Sequence, residues 1–585
     1  MKLRIWEIGK SVGCLNLLVA VLVVAVVSIP GPAAAADLNV DTSLTNSPYN
    51  VTGNITYDNE NVGIAASPNT GEIDQSAYTN TVNNNLSLGT VATSRGTYKL
   101  SGGSLSALME YIGYSGTGAF TQTGGTNTVS ASLTLGKYSD SRGTYKLSGG
   151  SLSAKNQIIG FYGSGDFTQT GGSNTVSNAI LLGDALGSSG AYTLGGCTDS
   201  PSLSAANQYV GVEGTGSFTQ TGGSNTVNAA LYLGYYSGSS GTYNLQGGRL
   251  QAANVNIKSG GTFAQSGGSL NATTSLTNAG TYTMAGGTLT GGGTLTNNAS
   301  FSGYGTINAN AGFNNYGTLT FSGGTTTFTG NLTNESGGSF NVQAQTKFYG
   351  NIYNWGYIKV TNSTLMLGSG YNIIEETGGS LNNDPATIIA TTLNIGATSA
   401  LQGGVGSSFL LSGDLISHST ENITWNTVGA DLVFTGGGGH QLYLTGADLG
   451  RTMAGYTNNF AWGTLDLTGQ SLTLVAANNT PDALYVGILL GALLSGGQVS
   501  NIYGNGLDIY YNPDLAANAY LAGLTYQLDG GGSLMPVLPD SGGALYVSGL
   551  GDPPASTPMP GTFWLLLSGL AALGLLGRGR LTKKS

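Results

Sequence analysis

The chain announces its fold in the stretch Gly96-Thr-Tyr-Lys-Leu-Ser-Gly-Gly-Ser-Leu-Ser-Ala107, which returns as Gly143-TYKLSGGSLSA, as Gly190-AYTLGGCTDSPSLSA and as Gly241-TYNLQGGRLQA. Between these copies stands a second phrase, FTQTGG, at Phe120, Phe167 and Phe218, with the variant FAQSGG at Phe263. The copies are 47 residues apart, stretched to 51 where the insertion CTDSP falls. YKLSGG and FTQTGG align aromatic on aromatic and Gly-Gly on Gly-Gly, so each unit is a doublet. Tyr98 to Phe120 is 22 positions and Phe120 to Tyr145 is 25. Self-similarity at such periods is the signature of a solenoid, in which each repeat buries its apolar face only against its neighbours.

Which solenoid follows from the short-range period. In Tyr98-Lys99-Leu100 two apolar residues flank a charge, and alternation over so short a run means a strand. A further short strand recurs as Leu133-Thr-Leu-Gly, Ile180-Leu-Leu-Gly and Leu231-Tyr-Leu-Gly. The Gly-Gly pairs mark corners, because glycine takes positive φ at no steric cost. Coils of about 22–25 residues holding two or three strands are those of a right-handed parallel β-helix. Tyr98, Phe120, Tyr145, Phe167, Tyr192, Phe218 and Tyr243 then form one inward column with coils spaced by about 4.8 Å. Next to it Leu100, Gln122, Leu147, Gln169, Leu194, Gln220 and Leu245 alternate. Leucines interrupt any ladder of glutamines, so each amide is expected to bond backbone near a Gly-Gly corner, since an orphaned buried amide costs about 1–3 kcal/mol. The other reading, an outward row of sugar-binding glutamines, conflicts with the inward Phe two positions away.

Working outward, the grammar loosens from about Ser259 and persists to about Leu367. Residues 86–367 are expected to form the β-helix in about 12–13 turns, a rod on the order of 60 Å. Residues 37–85 are a candidate N-terminal cap. Residues 368–550 still alternate (Asp431-Leu-Val-Phe, Ser471-Leu-Thr-Leu) without a period, and read as a β-rich C-terminal domain or as irregular further coils. The run Ala483-LYVGILLGALL is too short for a bilayer and reads as a buried strand or a short core helix.

Both termini carry address features. Lys2, Arg4 and Lys10 precede an apolar run, Leu15 to Ile29, and Ala34-Ala35-Ala36 before Asp37 fits signal-peptide cleavage after Ala36. Residues 1–36 thus read as a signal peptide, whose removal leaves Cys197 as the one thiol and no internal disulfide. At the other end, residues 551–585 comprise a Pro-rich linker, Pro558-Met559-Pro560, an apolar segment from Thr562 to Gly577, and the basic residues Arg578, Arg580, Lys583 and Lys584. The segment reads as a short C-terminal transmembrane helix whose basic end stays on the cytoplasmic side. This tail resembles the PEP-CTERM sorting signal, with Pro558, Pro560, Arg578 and Arg580 at the family's positions and Met559 where the family most often has Glu. The resemblance implies an exosortase-type processing enzyme as partner, transient anchoring in the membrane, and release to the surface or into the exopolysaccharide of a Gram-negative bacterium.

Composition bounds the function. Glycine makes up 98 of 585 residues, charged residues 8% and apolar residues 40%, which excludes both an ordinary enzyme-like mixture and a disordered chain. Residues 37–577 hold 11 basic and 27 acidic side chains, 11 − 27 = −16. That balance argues against nucleic acid and anionic lipid as partners and is compatible with loose divalent-cation association in a matrix. Polysaccharide-active β-helices use clustered carboxylates on adjacent coils. Here Glu110, Asp140, Asp166, Asp184 and Glu213 fall at differing repeat positions and are not expected to converge, and His418 and His440 lack metal-ligand spacing. Glu375, Glu376, Asp508, Asp514 and Asp529 are the remaining carboxylate candidates, with a weak calcium site conceivable near Gly504–Asp508. No catalytic, cofactor or metal residues are expected. The sequence therefore points to a non-enzymatic surface or matrix structural protein, with an adhesin or glycan-binding rod as the alternative and a polysaccharide lyase or hydrolase behind it. An autotransporter would need the terminal alternating strands of a membrane barrel, which are absent from the sequence.

Overall fold

Along Arg95–Leu100 burial alternates as the sequence pattern dictates, with Tyr98 and Leu100 inside and Lys99 out. The computed structural model describes residues 35–196, 200–477 and 482–538. In the repeats each coil joins a six-residue strand, such as Thr117–Gln122, to one of nine or ten, such as Thr126–Leu135. The longer strand breaks register at its middle, between Ala154 and Asn156 for example, and so bends, as a bulged strand does. Each coil therefore offers three faces, and coil pairs with coil in parallel. The second glycine of each Gly-Gly pair makes the corner, with φ of 65° at Gly125 and 77° at Gly150. The result is an all-β parallel solenoid of about 21 turns.

The aromatic column stands as expected and runs further. Tyr98, Phe120, Tyr145 and Phe167 occupy one register position, and their rings stack at 5.0, 4.6 and 4.8 Å. Stacking continues through Phe263 and Tyr282 to Phe301. The neighbouring glutamines are buried and bond backbone at the corner: Gln122 Nε2 donates to Gly125 O at 3.3 Å and to Ser151 O at 2.9 Å. Its Oε1 accepts from the Tyr145 hydroxyl at 2.6 Å. The Tyr/Phe alternation is thereby explained, because a hydroxyl is supplied only where the preceding coil holds a glutamine to receive it.

Past the doublets the corners reset and each coil becomes three short strands, as in Phe313–Asn315, Thr318–Phe321 and Thr326–Thr329. Here an inward asparagine recurs on consecutive coils and does form an amide ladder. Asn278 donates to Asn297 at 2.8 Å, Asn297 to Asn315 at 2.8 Å, Asn315 to Asn334 at 2.7 Å and Asn334 to Asn354 at 2.6 Å. Asn354 donates at 2.6 Å to Glu375, where the ladder ends.

The stack exceeds the expected 86–367 at both ends. Leu38–Val40 already pairs in parallel with Glu60 to Val62, so residues 38–85 are coils of the same solenoid. Beyond 367 the strands Thr427–Phe434, Trp462–Asp466, Ala483–Leu490, Asp508–Tyr511 and Ser533–Pro536 pair successively in parallel. Of the two sequence readings of this region, further coils is the one observed. The period is lost because excursions of varied length leave the coils. One of them lays Tyr456 over the outer face of Ala483–Leu490, its hydroxyl donating to Val486 O at 2.8 Å. That strand is buried on both faces, which accounts for its unbroken apolar run. At the C-terminal end Tyr526–Asp529 turns back antiparallel to Ser533–Pro536, giving the last edge a partner. Among the described residues no helix is long and apolar enough to cross a membrane, and the expected tail helix lies outside them.

An aromatic cleft as the candidate functional site

Outward side chains gather on one corner of the doublet coils. On the face that includes Glu110-Tyr111-Ile112, the outward column runs Tyr111, Thr134, Ile158, Leu181, Tyr209, Tyr232. Each strand then enters a turn through a glycine of positive φ, Gly136 at 66° and Gly183 at 64°. The residue after that glycine is Tyr114, Lys137, Phe161, Asp184, Val212 or Tyr235, and each bonds its amide to the coil before. Column and turns together make a strip of rings along the solenoid.

The strip has two parts. In the N-terminal part Tyr114 meets Tyr111 and Tyr138 edge-on at 5.3 and 5.1 Å. The Lys137 ammonium lies 5.3 Å from the Tyr111 ring centre and 4.5 Å from that of Phe161, within cation–π range. In the C-terminal part Tyr209 stacks on Tyr232 at 5.0 Å, and Tyr235 meets both edge-on at 5.0 and 5.1 Å. Between Phe161 and Tyr162 on one side and Tyr209, Tyr235 and Tyr236 on the other lies an open cleft of about 660 Å³. Asp184 and Glu213 line it. Burial, then the negative charge of Glu213, pushes the Asp184 carboxyl above its ordinary range. Asn178 donates to Asn156 at 2.7 Å on the cleft's rim.

The acids expected to scatter are thus divided by the fold. Asp184 and Glu213 come together, since one coil of stacking brings positions 29 residues apart side by side. Asp166 pairs with Arg142 at 2.9 Å on the surface, and Asp140 occupies a positive-φ turn. Glu110 points inward and is fully buried. It occupies the slot filled by Gln157 and Gln208 on later coils, where the glutamine and an asparagine exchange two hydrogen bonds, Gln157 to Asn174 at 2.7 Å and back at 3.1 Å. Asn127 Nδ2 donates to Glu110 Oε2 at 3.1 Å, and burial pushes this carboxyl up to about 8. Glu60 shares the slot and is pushed up to about 7, and Glu375 at the ladder's end to about 8, both by burial. These three are neutral acids standing in for amides.

His440 is also structural, its Nδ1 2.6 Å from Gly413 O and Nε2 3.0 Å from Gln470 Oε1, while His418 packs edge-on against Tyr443. Asp508 accepts from the Ser533 amide at 2.7 Å. Among the described residues no group of three His, Cys, Asp or Glu is placed to hold a metal ion. Of the address residues, Ala36 and Asp37 are exposed at the start of the first coil, where Ala36 O accepts from the Asp58 amide at 3.3 Å. Ala34, Pro558, Met559, Pro560, Arg578 and Arg580 lie outside the described residues, as does Cys197. The cleft was not anticipated from sequence. Its one legible signal was the aromatic-rich turns Tyr111 to Tyr114, Phe161-Tyr162 and Tyr232 to Tyr236.

No family model, curated protein or solved structure matches the chain.

Proposed function

We propose that the protein is a secreted, non-enzymatic structural rod of a Gram-negative cell surface or extracellular matrix, delivered through its PEP-CTERM-like tail. The observation that carries this reading is the unbroken stack from Leu38 to Pro536, which begins directly after the signal-peptide junction at Ala36 and ends shortly before the Pro-rich linker. Nearly the whole exported chain is thereby committed to one elongated body with neutral, glycine-rich corners. Such a body spans distance and presents repeated surface, as a matrix component does. An exosortase-type enzyme is the processing partner, and exopolysaccharide the surroundings.

Mass spectrometry of the exported protein tests the delivery. The mature form should lack the final residues, and a C-terminus still at Ser585 would replace the sorting signal with a permanent anchor. Changing Arg578, Arg580, Lys583 and Lys584 to Ser should release soluble precursor, because the charges that hold the short helix in place are gone. Changing Pro558 and Pro560 to Ala should leave unprocessed protein in the membrane. For the non-enzymatic part, incubation with acidic and neutral polysaccharides should release no reducing ends. Release abolished by Asp184→Asn or Glu213→Gln would make the chain an enzyme. The adhesin reading is the second one, favoured by the aromatic cleft.

A further inference from the structure

We infer that the cleft between Phe161 and Tyr235 binds a glycan strand carrying free, protonated amino groups. This goes beyond the rod reading, which stands whether or not the cleft is occupied.

The first support is the chemistry the corner already performs on itself. Lys137 lays its ammonium between the rings of Tyr111 and Phe161. Lys137 and Asp184 hold the same place in the doublet, each following a glycine of φ near 65° and each bonding its amide one coil back, to Gly113 O and to Gly160 O. Where the earlier doublet supplies a cation to the rings, the later one supplies a carboxylate and leaves the cleft open. The charge of the site is thus inverted while its aromatic walls remain.

The second support is the lining itself. Asp184 and Glu213 are the charged groups of the cleft, and no lysine or arginine lines it. Among the described residues neither acid forms a salt bridge. Burial and Glu213 both work against ionisation of Asp184, a cost that a cation placed between the two acids removes. The rings decide what carries that cation. Phe161 and Tyr162 stand on the coil before Asp184, and Tyr235 and Tyr236 two coils after it, so the walls are about 14 Å apart at ~4.8 Å per coil. That span suits two or three pyranose rings, whose C–H faces pack on aromatic faces while their amino groups reach the acids. Tyr162 and Tyr236 are 54% and 53% exposed, so the rings are free to receive them. A small free amine would fill only the floor, and an extended basic peptide offers no flat C–H face to the walls.

Calorimetric titration of the full-length protein in mild detergent distinguishes these ligands. The probes are a fully de-N-acetylated glucosamine hexamer, the N-acetylglucosamine hexamer and hexalysine. The glucosamine hexamer should bind saturably, and the other two at least tenfold more weakly. Raising the salt concentration should weaken binding, as for partly exposed charge pairs. Asp184→Lys should refill the corner as Lys137 does, keep the melting temperature and reduce affinity at least tenfold. Glu213→Gln, at an exposed position, and Tyr235→Ala should each reduce it as well. Equal affinity for the N-acetylated hexamer, equal affinity for hexalysine, undiminished binding by Asp184→Lys, or no saturable binding of the glucosamine hexamer would each overturn the inference.

Discussion

Glu60 and Glu110 show at the residue scale how the solenoid treats polarity. On later coils the same slot holds Gln157 and Gln208, each in a two-way exchange with an asparagine. With glutamate, Asn127 Oδ1 and Glu110 Oε1 are left without a partner, and a proton on Oε1 supplies the missing donor. The carboxyls are therefore protonated when folded, at values of about 7 and 8, and ionise at ordinary values when unfolded. Between about pH 4.5 and pH 8 the folded chain holds more protons than the unfolded one, so stability falls as pH rises through that window. Each group contributes a slope of up to about 1.4 kcal/mol per pH unit. Glu110→Gln should flatten the pH dependence of the melting temperature and raise stability near pH 8. A variant as pH-sensitive as the parent would mean that the carboxyl is already ionised in the folded protein. Tyr145→Phe probes the same layer from the other side. It orphans Gln122 Oε1 and should cost about 1–3 kcal/mol by thermal or chemical melting.

Two columns carry the load at the element scale. Phe167 is stacked between Tyr145 and Tyr192 at 4.8 and 4.6 Å, so Phe167→Ala removes two ring contacts and opens a cavity, at about 3–5 kcal/mol. Lys146 lies beside this column but points outward, and Lys146→Ala should be nearly neutral. Equal melting temperatures for the two variants would contradict the inward column. The asparagine ladder makes a parallel prediction. Asn315→Leu takes away the acceptor of Asn297 and the donor to Asn334 and should cost about 1–3 kcal/mol. Asn341→Ala, on an outward half-buried position nearby, should stay within about 0.5 kcal/mol. The ladder was readable in outline, because Leu276-Thr-Asn278, Leu295-Thr-Asn297, Phe313-Asn-Asn315, Leu332-Thr-Asn334 and Ile352-Tyr-Asn354 repeat at 18–20 residues. It was overlooked because the shorter coils replace the Gly-Gly punctuation of the doublets with varied turns.

At the scale of the whole molecule, about 21 turns at ~4.8 Å make a body on the order of 100 Å long, against the ~60 Å expected from residues 86–367. Small-angle scattering of the exported protein should give a maximum dimension of at least about 100 Å. A value near 60 Å would mean that the outer coils do not hold the stack in solution. What the sequence by itself determined is everything that repeats inside. An inward residue meets the same neighbours on every coil, so packing imposes the same residue type at a fixed period, and the aromatic column, the corner glycines and the bonding of the glutamines followed from that period. Only the tertiary structure decided what escapes the constraint. The coils beyond residue 367 have no period, since the excursions between their strands vary in length while the strands still stack. The fates of Glu110 and Asp184 differ because one faces the core and the other solvent, a matter of register within a bent strand. The cleft itself is made of outward residues, which no packing rule repeats, and it exists because stacking sets Asp184, Glu213 and the rings of Phe161 and Tyr235 along one corner of the rod.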